Sequence, residues 1–140
     1  MRTPLLLTAL LLAGCAGAPS GPDGAVCPAI GWTNGLRVEL AGDWGEPAPA
    51  SVRVACAGGC GQVVRQDADP VPRAEVTAEV TGSTAGVPVD MTTPDSAVVT
   101  VLAADGTVLA EEERDLDWVR VGGSAACGGP MEAAVEVAAP

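Results

Sequence analysis

The chain has 140 residues, seven basic and eighteen acidic, for a formal net charge of −11; every base is Arg, and His, Phe and Tyr are absent. An acidic excess of this size argues against nucleic acid and anionic lipid headgroups as partners. The lack of His and Lys removes the usual general bases and amine nucleophiles. Lys, Phe and Tyr are absent and Ile30 and Asn34 are the only residues of their types, all of them types with AT-rich codons, which points to a high-GC genome, an actinobacterium first.

Met1-Arg2 is a short positive start, and the apolar run Leu5 to Leu12 has the length of a signal-peptide core, too short to span a bilayer. It ends in Leu12-Ala13-Gly14-Cys15, an aliphatic residue, two small residues and a cysteine, which is the bacterial lipobox. Residues 1–14 therefore read as a lipoprotein signal peptide, with cleavage leaving Cys15 first and its thiol carrying a diacylglycerol. An ordinary signal peptide with a fortuitous cysteine is the competing reading, and the Leu-Ala-Gly-Cys spacing disfavours it. Two acyl chains at roughly 0.8 kcal/mol per buried CH₂ make a stable anchor where one would be marginal. The expected location is the extracytoplasmic face of the cell membrane. Beyond residue 14 the chain has six Arg against eighteen acids, a formal charge of −12.

Residues 16–26, with Ala-Gly-Ala-Pro-Ser-Gly-Pro-Asp-Gly at their start, have no apolar period and read as a flexible tether behind the lipidated Cys15; a short arm ordered against the domain is the alternative. Residues 27–140 are enough for one core and too few for two. That core has to be built from Val, Leu, Ala and three Trp.

From here the period is two. Leu36, Val38 and Leu40 alternate with Arg37 and Glu39; Val52, Val54 and Cys56 with Arg53 and Ala55; Val76, Ala78 and Val80 with Thr77 and Glu79. Gly61 to Gln66 is a weaker strand candidate. Ala97 to Ala103 is apolar on both faces, as a central strand would be, and Asp105-Gly106 reads as a hairpin turn into the return strand Thr107-Val108-Leu109. Ala110 to Asp117, with Glu111-Glu112-Glu113-Arg114, is the only helical competitor; it lacks an apolar stripe and follows a hairpin signal, so a strand with one solvated face is the simpler reading. Trp118 to Val121 is another weak strand. Met131, Ala133, Val135 and Val137 alternate with Glu132, Ala134 and Glu136 in the last. The expectation is a single antiparallel β-sandwich of about seven strands, with an immunoglobulin-like or related Greek-key order.

Four cysteines follow Cys15: Cys27, Cys56, Cys60 and Cys127. An even set in a small exported domain usually forms disulfides. Cys56 and Cys60 flank Ala57-Gly58-Gly59, a tight hairpin that would let their β-carbons face each other across two strands and leave Cys27 for Cys127. The N-terminus, the loop after the second strand and the loop before the last lie at one end of an immunoglobulin-like sandwich. That geometry permits Cys27 with Cys127, and it also allows Cys27 with Cys56 and Cys60 with Cys127. Cys-x-x-x-Cys also occurs in copper-delivery proteins of the thioredoxin fold, which add a distant His that this chain lacks. A Cys₄ zinc site would need thiolates kept reduced in an oxidising compartment.

The order Cys27-Pro28-Ala29-Ile30-Gly31, Cys56-x-x-x-Cys60 after a Val-rich strand, Asp105-Gly106 in a hairpin and Cys127-Gly128-Gly129-Pro130 before the last strand resembles a group of small actinobacterial secreted lipoproteins over most of Cys27 to Val137. What the resemblance implies is a secreted sandwich with two bridges, without any catalytic residue to carry over.

Asp67, Asp69, Glu111, Glu113, Asp115 and Asp117 could pair as glycosidase carboxylates do, but such enzymes need a larger, aromatic-lined cleft. A solvated acidic face is the simpler reading. Asp67-x-Asp69 suits calcium chemically, yet no Asp-x-Asp-x-Asp-Gly loop is present. No catalytic, cofactor-binding or metal-ligating residue is therefore assigned, and no cofactor is expected. Trp32, Trp44 and Trp118 read as plugs of a small-side-chain core rather than a binding platform. Two function classes stay open. The leading one is a non-enzymatic binding, adaptor or structural module of the cell envelope, held to the membrane through Cys15 and serving an envelope protein partner. The other is a cation or small-ligand carrier using the acidic surface.

Overall fold

The period-two stretches become strands, and what organises them is which strand each one meets. The computed structural model describes residues 26–65 and 67–140. Residues 1–25, which hold the expected signal peptide, Cys15 and all of the expected tether but Val26, lie outside the described residues, as does Gln66. There are ten strands: β1 Asn34–Ala41, β2 Pro49–Cys56, β3 Gln62–Arg65, β4 Ala68–Pro72, β5 Glu75–Glu79, β6 Thr84–Val89, β7 Ser96–Ala103, β8 Val108–Asp115, β9 Val119–Arg120 and β10 Met131–Ala138. Among the described residues there is no helix, and so none long and apolar enough to cross a membrane.

Two four-stranded sheets, β6-β1-β10-β9 and β5-β2-β7-β8, pack face to face, and β3-β4 forms a separate two-stranded ribbon. All pairings are antiparallel except β1 with β10, which run parallel from Gly35↔Glu132 to Ala41↔Ala138. The first and last strands thus lie side by side in the middle of one sheet. The inward rows are Leu36, Val38 and Leu40 on β1, Val52 and Val54 on β2, Ala85, Val87 and Val89 on β6, Ala97, Val99 and Val101 on β7, and Ala133, Val135 and Val137 on β10, all buried. Each such Val withdraws roughly 1.5 kcal/mol worth of apolar surface from water. Trp44 and Trp118 pack on the rim of this core.

Ten strands form where about seven were expected, and two of them, β4 and β6, match no stretch that the alternation marked, because proline and glycine hide them. In β6 the inward positions Ala85, Val87 and Val89 alternate with Thr84, Gly86 and Pro88, which face outward. Pro88 is tolerated because β6 is an edge strand, where a missing N–H breaks no ladder. β4 carries Pro70 and Pro72 and pairs only with β3.

The segment from Ala110 to Asp117 is strand, continuous with the hairpin return as β8. Its register sets Ala110, Glu112 and Arg114 opposite the inward Val101, Val99 and Ala97, so this edge strand turns a charged pair toward the sandwich interior. Glu112 and Arg114 bridge each other there. An inward-pointing charge on a sheet edge opposes pairing with another chain. On the outer face of the same sheet, Thr100 donates to Glu111 at 3.0 Å and Ser96 to Glu113 at 3.2 Å.

Candidate functional site

Strand direction sorts the loops into two ends. The N-terminal arm 26–33, the ribbon, the 90–95 loop and the 116–130 region lie at one end, and the loops 42–48, 80–83 and 104–107 lie at the other. Both disulfides are at the first end, here called the bridged end.

Cys27 is joined to Cys127 with their Cα atoms 5.2 Å apart, and Cys56 to Cys60 at 5.1 Å. Of the pairings the spacing allowed, the structure has the one that closes the short loop on itself. The turn is not the hairpin expected, however. Gly59 N donates to Cys56 O, but Cys60 N then donates to Arg73 O and Arg73 N to Gly61 O, so the chain leaves β2 and pairs into the ribbon. Positive φ at Gly58, Gly59 and Gly61 makes that exit possible. Gly61 also has to be glycine because a Cβ there would stand 2.1 Å from Asp90 Oδ2. Asp90 uses that closeness to accept from Gln62 N at 2.7 Å.

Asn34, 1 % exposed, clasps the same end. Its Nδ2 donates to Thr92 O at 2.8 Å and its Oδ1 accepts from Met131 N at 2.9 Å, tying β1 to the 90–95 loop and to the start of β10. Trp118 Nε1 donates to Pro94 O at 2.9 Å. Trp32 lies over Gly128, where a Cβ would sit 2.8 Å from its ring. All three Trp are half-buried, but only Trp44 and Trp118 pack against the core as expected, whereas Trp32 is not among the side chains packed on it; Trp44 Nε1 is buried without a hydrogen-bond partner among the described residues.

An open groove of about 1010 Å³ lies on the outer face of the β6-β1-β10-β9 sheet. Its floor is small: Gly86 and Ala134 flank Arg37, and Pro88 and Glu132 flank Gly35. A Cβ on Gly86 would meet nothing within 4 Å, so the floor is unfilled. Val119, Val121 and Pro130 bound it toward the bridged end, with Asp117 beside them. Arg37 is turned to Glu39 at 3.1 Å, and both are exposed.

The acidic residues singled out from the sequence do not come together. Asp67 lies in the ribbon turn and Asp69 on β4, both exposed; Glu111, Glu113 and Asp115 lie exposed along β8, and Asp117 lies beyond it at the groove. Among the described residues no group of three or more His, Cys, Asp and Glu is placed to hold a metal ion. The Asp105 carboxyl is displaced below its ordinary value. The Thr107 backbone N–H, 2.9 Å from Oδ1, holds it below 3.8 by stabilising the charged form.

Sequence reasoning passed over the groove and the Asn34 clasp. The available signals were two glycines, Gly35 and Gly86, within strands, which mark faces left bare of side chains, and the single Asn of the chain. No protein-family model, curated protein or solved structure matches the chain.

Proposed function

We propose that this chain is a lipid-anchored extracytoplasmic lipoprotein whose β-sandwich acts by binding, as an adaptor or structural module of the cell envelope, without chemistry of its own. The observation that carries the reading is cysteine accounting. The two disulfides use four of the five cysteines and leave over Cys15, the one that ends Leu12-Ala13-Gly14-Cys15. Disulfides belong to oxidising compartments, and the apolar run ahead of the lipobox would deliver the chain there.

The absence of His and Lys and the scattering of the carboxylates support a binding role over a catalytic or cation-carrying one. The bare outer groove, with Val119 and Val121 exposed at its edge, supports contact with another surface. The resemblance to small actinobacterial lipoproteins agrees with this placement. Replacing Cys15 with Ala should move the protein from the detergent phase to the aqueous phase and remove a diacylglycerol from the intact mass. A wild-type protein with an unacylated Cys15 would overturn the reading.

A further inference from the structure

Seven large hydrophobic side chains are exposed in the described part of the chain, and six of them, Val26, Ile30, Val71, Met91, Val119 and Val121, lie at the bridged end; Val108 alone lies at the other. None is needed by the core, since all are 52 % exposed or more. They sit on neighbouring segments: a Cβ on Gly31 would lie 3.9 Å from Met91 Sδ, Asn34 ties the 90–95 loop to Met131, and Val121 N bonds Pro130 O beside the groove.

The same end is where the chain departs toward Cys15, because the Cys27–Cys127 bridge pins residue 27 there. If the stretch 16–26 is the flexible tether its sequence suggests, it would span about 20 Å root-mean-square at 5 to 6 Å × √n. An eight-residue strand adds about 26 Å to the far end, so only the bridged end is within average reach of the bilayer. Tethering of this kind gives a surface an effective concentration in the millimolar range, at which weak contacts suffice.

Resting on the lipid-anchor reading, we propose that the bridged end docks on a zwitterionic phospholipid surface, with Ile30, Met91, Val119 and Val121 in the headgroup layer. The acid excess of the domain repels an anionic surface, whereas Asp95 and Asp117, exposed at this end, can meet the ammonium of ethanolamine headgroups.

The test is amide hydrogen exchange on the acylated full chain in vesicles of phosphatidylethanolamine and phosphatidylcholine, compared with the Cys15→Ala protein free in solution. Exchange in 28–33, 90–93 and 117–122 should slow by roughly tenfold, as expected when nine molecules in ten are docked, with 42–48, 81–83 and 104–107 unchanged. Phosphatidylglycerol in the vesicles should reduce the protection, a comparison that needs no variant. The quadruple variant I30D/M91D/V119D/V121D should abolish it while staying acylated and folded. Acylated protein with no protection, or with equal protection at both ends, overturns the docking and leaves the anchor standing. Absence of acyl mass on Cys15 overturns both. Protection in native envelope membranes but not in protein-free vesicles also overturns it, and assigns the surface to a protein partner.

Discussion

The two ends of the sandwich are closed by different means. At the far end the β7–β8 connection is a tight turn in which Asp105 accepts from Thr107 N, and the β1–β2 connection has the same local device, Asp43 accepting from Gly45 N at 3.1 Å. Each turn is held by its own neighbours. At the bridged end segments are held from afar: Cys27 by Cys127 across 100 residues, Thr92 by Asn34 across 58 and Met131 by Asn34 across 97. Local turns need no covalent help because their closure entropy is small, whereas holding two segments a hundred residues apart closes a long loop, which a cross-link secures.

The largest expected effect breaks that difference directly. Changing Cys27 and Cys127 to Ser should cost about 4 to 5 kcal/mol on the loop-entropy account, and losing Cys56–Cys60 about 2 kcal/mol because its loop is so short. Thermal or urea unfolding of the two double variants measures the gap; equal losses would mean that native-state packing around the cystines outweighs chain entropy.

Next comes Asn34→Ala, which orphans Thr92 O and Met131 N in a part-buried setting and should cost about 2 to 3 kcal/mol. Exchange protection should fall first at 91–94 and 131, with the far end unaffected. A third change, Gly61→Ala, forces a Cβ against Asp90 at a φ of +129° and should cost about 1 to 3 kcal/mol, again read as a loss of protection at the ribbon base. Gly86→Val acts oppositely: the open groove accepts the side chain and the edge strand gains a β-former, so unfolding should shift up by about 0.5 to 1 kcal/mol. A destabilised variant would show that the groove floor is already occupied in solution.

The smallest effect belongs to the far end. Asp105 has its folded pKa depressed, chiefly by the Thr107 backbone hydrogen bond. Its contribution to stability is therefore fully present above the unfolded aspartate value of about 3.9 and fades as pH falls through the lower folded value. A carboxyl-carbon titration should place its midpoint below 3.8, and the Asp105→Ala protein should lose this part of the acid dependence. A midpoint at or above 3.8 would show that the turn opens in solution.

Much of the sandwich was legible in the chain. The alternations at Leu36–Leu40, Val52–Val54 and Ala133–Val137 became β1, β2 and β10 with those residues inward, and Asp105-Gly106 became a turn. The edge strand β6 was not, because Gly86 and Pro88 read as breakers when their tolerance depends on having water on the outer face and no neighbour beyond. Nor was the inward direction of Glu112 and Arg114, since a run of charge reads as a solvated face until the register against β7 is known. Of the candidate site, the cysteines were visible and the groove was not, because a groove is made of side chains that are missing.

Composition, the tight Cys56-x-x-x-Cys60 spacing and the period of two were determined by the sequence by itself, because each depends on residue types and on spacings within a few residues. The parallel seating of β10 beside β1, the exit of the chain at Gly61 into its own ribbon and the gathering of exposed hydrophobics at one end were decided only by the tertiary structure. Those features bring together residues up to a hundred positions apart, and a strand's own side-chain pattern says which face is buried but not which strand will lie beside it.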